Sequence, residues 1–95
     1  MKTRKSPLQL LHTPRPKIGS PILLSGQNGI THLAHFKKIL NDEIAIAELN
    51  STCYIVLHRN ELTAKWEPIN EFEDKDRAIK YARLVIKGHY LPTPL

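Results

Sequence analysis

Residues 66–88 read WEPINEFEDKDRAIKYARLVIKG, and the helix inside this stretch organises the rest of the chain. Asp74 is a natural N-cap, and Glu73 and Asp76 place negative charge at the positive end of the helix dipole. Ala78, Ile79, Ala82, Val85 and Ile86 recur at three- and four-residue spacing and form one apolar stripe. Lys87 falls in the last turn, and Gly88 stands where a left-handed C-cap is needed. Asp76 and Lys80 are spaced as an i,i+4 pair with the acid on the favourable side. Cap, stripe and stop together predict a helix over residues 75–87.

The stripe needs a surface to cover, and the two runs before it supply one. Residues 53–58 (CYIVLH) are β-branched and aromatic and read as a well-buried strand. Residues 63–67 continue with period two as far as Pro68, which ends or bends the run. Residues 59–61 suit the connection between them, making a hairpin with a helix on one face.

Upstream, Ile30, Leu33, Ala34, Lys37 and Leu40 fit a helical face with Thr31 as a plausible N-cap. Asn41 and Asp42 then form a turn, and residues 44–49 (IAIAEL) a strand. The competing parse is one helix through residues 31–49, because Leu33, Phe36, Leu40, Ile44 and Ala47 also keep helical spacing. Helix then strand is preferred, because a third strand brings the sheet to about the minimum for independent stability. The expected fold is therefore α+β: a small three-stranded antiparallel sheet with a C-terminal helix and an N-terminal helix packed on one face, in the order α-β-β-β-α. Double-stranded-RNA-binding domains share that order. Their last helix opens with Lys-Lys-x-Ala-Lys, whereas this chain has Lys75-Asp76-Arg77-Ala78, and no family is assigned.

At 95 residues the chain suits one small domain. Residues 1–28 hold four of the seven prolines and read as a flexible basic arm; residues 29–95 read as the folded domain. Within the arm, Ser6-Pro7, Thr13-Pro14 and Ser20-Pro21 recur every seven residues. No apolar run reaches the roughly 20 residues of a membrane span, and no secretory signal is read. A single cysteine, Cys53, set in an apolar strand, fits a reducing, cytoplasmic setting.

Charge is distributed unevenly. Before Asp42 there are seven bases and no acid; from Asp42 onward seven bases meet nine acids. The net charge of +5 therefore belongs to the first part of the chain. Such asymmetry predicts a polyanionic partner. The candidate nucleic-acid contacts are Lys2, Arg4, Lys5, Arg15, Lys17, Lys37 and Lys38, together with Lys80, Arg83 and Lys87 on the side of the last helix away from its apolar stripe.

Chemistry is harder to find. His32 and His35 stand i,i+3 on the expected first helix, but zinc takes three or four ligands and no second pair at ligand spacing occurs. Neither phosphate-binding glycine loop is present. The acids between Glu67 and Asp76 are placed to cap and solvate the helix. No catalytic residue, metal or cofactor is expected, and the chain reads as non-enzymatic. The functional expectation is a small nucleic-acid-associated or regulatory binding protein. The alternative is a protein-binding adaptor or inhibitor using the open sheet face, on the Tyr54/Val56 or the Trp66 side.

Overall fold

The structure is a computed structural model that describes residues 16–26 and 29–95. Five antiparallel strands, β1 (Pro21–Ser25), β2 (Thr31–Ile39), β3 (Ile44–Asn50), β4 (Cys53–Arg59) and β5 (Trp66–Phe72), follow one another as a meander and precede one helix, α1 (Lys75–Ile86). The sheet curls into a half-barrel. Three register shifts, at Phe36/Lys38, Glu48/Asn50 and Val56/Leu57, supply the bending, because a bulge kinks its strand and increases the local twist.

Curling gives the sheet two apolar faces. On the concave side Leu24, Ala34, Phe36, Ala45, Ala47, Ile55 and Leu57 close on one another. On the convex side Ile44, Ile46, Val56 and Ile69 receive Ala78, Ala82 and Val85 from α1. Strand β3 lies between the two, so Ile44, Ala45, Ile46 and Ala47 are all buried. That explains why its sequence is continuously apolar rather than alternating.

The α-β-β-β-α expectation is thereby corrected. Residues 31–39, expected as a helix, are a strand, and the sheet has five strands rather than three. The helical spacing of Ile30, Leu33 and Ala34 is a coincidence laid over a period-two pattern: Ala34 and Phe36 are buried while His35 and Lys37 are exposed. A helix would have buried Ile30 and Leu33, yet both stand exposed. Pairing decides the outcome, since β2 bonds to β1 on one side and β3 on the other. Residues 21–25, read as part of the arm, form β1; the mobility expected of the arm concerns mostly residues outside the described ones.

The helix and strands β3 and β4 fall where they were expected. Helix α1 begins at Asp74, whose side chain accepts the Asp76 N–H at 3.0 Å. It ends with the Gly88 N–H on the Val85 carbonyl at 3.0 Å and the His89 N–H on the Leu84 carbonyl at 2.9 Å. Those two bonds form a Schellman cap, and the φ of +87° at Gly88 is the conformation that selects glycine there. The last strand starts later than expected and carries Pro68 in its interior, which an edge strand tolerates because an outward N–H is not required. Asparagines close the last three hairpin turns: the side-chain carbonyls of Asn41, Asn50 and Asn60 accept the N–H groups of Ile44, Thr52 and Leu62 at 2.7, 2.9 and 2.8 Å.

Candidate polyanion-binding surface and concave cleft

Of the expected nucleic-acid contacts, Lys2, Arg4, Lys5 and Arg15 lie outside the described residues. Lys17 is exposed in the turn that leads into β1, where its carbonyl accepts the Ser20 N–H at 2.9 Å. Lys37 is engaged: its Nζ lies 3.2 Å from Glu48 Oε1 on the neighbouring strand. Lys38 is half-buried at the bulge of β2.

Lys80, Arg83 and Lys87 behave differently. The spacing i, i+3, i+7 brings them to one side of α1, and burial of Ala78, Ala82 and Val85 against the sheet turns that side to solvent. All three are exposed, and they border a shallow depression floored by Ile79 and Leu84. Asp76 stands at the edge of the same depression, but the expected Asp76–Lys80 ion pair is not made. Among the described residues no salt bridge engages any of the three cations. The structure thus gathers three of the ten predicted residues into one surface and leaves Lys37 neutralised on another strand.

The concave side holds a cleft of about 350 Å³. Leu24, Leu49, Ile55 and Pro68 form its apolar wall, and His32 and Glu71 bring polar groups to it. Sequence reasoning had not assembled this site, because its residues come from separate strands and only the curl of the sheet joins them. His32 reaches the cleft because position 32 shares a sheet face with Ala34 and Phe36. An odd spacing along a strand sends His35 to the opposite face, so the paired imidazoles expected on a helix are separated. Among the described residues no group of three or more His, Cys, Asp or Glu is placed to hold a metal.

Cys53 is half-buried beside Glu71, with Sγ 3.9 Å from Oε2. Burial pushes the thiol up from its ordinary pKa, and the charge and hydrogen bond of Glu71 push the same way. The protonated form is favoured, which is the opposite of what a nucleophilic cysteine needs. Trp66 packs edge-on against Phe36, with ring centroids 5.6 Å apart, and is partly buried in the concave core. Tyr54 lies against the core under α1. Neither the Tyr54/Val56 side nor the Trp66 side is therefore an open sheet face; among the described residues the uncovered area of the sheet is the convex side of β1 and β2.

No helix among the described residues is long and apolar enough to cross a membrane. Compared with protein-family models, curated proteins and solved structures, the chain matches none.

Proposed function

We propose that this chain is a non-enzymatic binding protein that docks on a nucleic-acid backbone through the outer side of α1 and its basic N-terminal residues. The observation that carries the reading is the set Lys80, Arg83 and Lys87, three exposed cations on one helix side with no acidic partner in salt-bridge range among the described residues. A cation already held by a carboxylate gives up part of its attraction for phosphate; these three do not. Lys2, Arg4, Lys5, Arg15 and Lys17 add charge of the same sign from a stretch that contains no acid. Such contacts act as point charges on phosphates and carry no base readout, so affinity should depend little on sequence.

Salt dependence is the test. Binding of the full chain to a random duplex should weaken linearly in log–log form, each phosphate contact adding about 0.9 to the slope. Lys80→Gln, Arg83→Gln and Lys87→Gln together should flatten the slope by about 2–3 units. A slope that those substitutions leave unchanged, or an absence of binding at low salt, would remove the helix from the proposal.

A further inference from the structure

We infer that the chain forms a two-fold dimer by antiparallel pairing of β1 with β1 of a second copy, centred on Leu23. The inference is independent of the polyanion reading and rests on a different part of the surface. Among the described residues only one edge of the sheet is open. Strand β5 is closed at Pro68, which has no N–H and whose carbonyl already accepts the Leu95 N–H at 2.9 Å. Among the described residues strand β1 has no such cover. The Gly26 N–H bonds the Ile30 carbonyl and the Phe36 N–H bonds the Ser20 carbonyl, so the even-numbered residues of β1 face β2. By alternation the backbone groups of Pro21, Leu23 and Ser25 point away from the sheet.

Those groups are self-complementary. In an antiparallel pair centred on Leu23, the N–H and C=O of Leu23 exchange bonds with Leu23 of the partner subunit. The Ser25 N–H then donates to the Pro21 carbonyl across the axis, in both directions. Pro21 has no N–H to return, so the Ser25 carbonyl of each copy is left to solvent at the end of the pair, and the ladder consists of two Leu23–Leu23 bonds and two Ser25-to-Pro21 bonds.

Side chains agree with the backbone. Leu23 and Leu33 are cross-strand partners on the convex side of the β1–β2 hairpin, beyond the part of the sheet that α1 packs on. They are 69% and 52% exposed, respectively. The two-fold would set them as one continuous row, Leu33 and Leu23 followed by their copies. Exposed edges are ordinarily guarded by charge, yet between Lys17 and Lys37 the sequence has no Asp, Glu, Lys or Arg. On a chain of net charge +5 this neutral stretch is where a second, equally charged copy can approach without like charges meeting. An acidic partner protein would find no cation on this edge. With the β5 edge closed, pairing stops at two copies instead of propagating as a fibre.

Sedimentation of the full chain across a wide concentration range tests this. The expected result is a reversible rise from 10.9 kDa toward twice that mass. Leu23→Lys puts like charges face to face at the axis, and Ser25→Pro removes a donor that the β1–β2 ladder does not use. Each should weaken the dimer by about tenfold or more, with the helical signal in circular dichroism unchanged. A chain that stays monomeric at every concentration would overturn the inference, as would a dimer that persists unweakened in a folded Leu23→Lys or Ser25→Pro variant.

Discussion

Cys53 shows how burial and one charged neighbour together set the chemistry of a side chain. Its thiol is held protonated first by burial and then by Glu71, so the native protein should alkylate more slowly at mildly alkaline pH than the same chain unfolded in urea. Glu71→Gln removes the nearby negative charge and should speed alkylation, but only in part, because burial remains. An unchanged rate in that variant would show that the carboxylate does not act on the thiol. The sign for stability follows: the folded state favours the neutral thiol, and that contribution fades as pH climbs through the raised pKa. Other single residues act through the backbone. Asn41, Asn50 and Asn60 each stand where a strand ends and use the side-chain carbonyl to satisfy turn N–H groups, a role readable from asparagine's known habit.

At the scale of elements, α1 was legible because every local signal agreed. Asp74, the apolar stripe and Gly88 mark its start, buried side and stop, and none of them depends on the rest of the fold. Strand β4 was legible as a β-branched and aromatic run, and β3 through the preference for helix then strand over one helix across residues 31–49, since a third strand completes a minimal sheet. Strand β2 was not. Ile30, Leu33, Ala34, Lys37 and Leu40 satisfy a helical period, and nothing local separates that from the alternation of Ala34 and Phe36. The deciding fact is non-local: the short run Pro21–Ser25 is available to pair with it. That run was read with the arm because Pro21 opens it and glycines flank it. The two cores can be tested separately. Val85→Ala opens space between α1 and the sheet, and Trp66→Ala removes the ring that packs on Phe36. We expect losses of about 1–3 kcal/mol for the first and about 2–4 kcal/mol for the partly buried aromatic. Chemical denaturation measures both, and an unchanged midpoint for Trp66→Ala would show that the concave core does not rely on it.

For the whole molecule, the curl of the sheet assigns its surfaces. It buries the concave side, leaves a cleft beside His32 and Glu71, and lets a single helix cover the convex side of β3, β4 and β5. The outer side of α1 is then the basic surface, and the β1–β2 hairpin is the neutral, apolar one. Sequence alone placed Lys80, Arg83 and Lys87 together on the side of the helix away from its apolar stripe, because that grouping needs only the helical period. The cleft was invisible there, because its walls come from different strands. The measurement that bears most directly on the proposed function is an NMR titration of the full chain with a short duplex at low salt. We predict amide shift changes concentrated at Lys80, Arg83, Lys87 and their helix neighbours, reversed by added salt, with the concave cleft unmoved. Changes confined to the cleft around His32 and Glu71, or none at all, would contradict it.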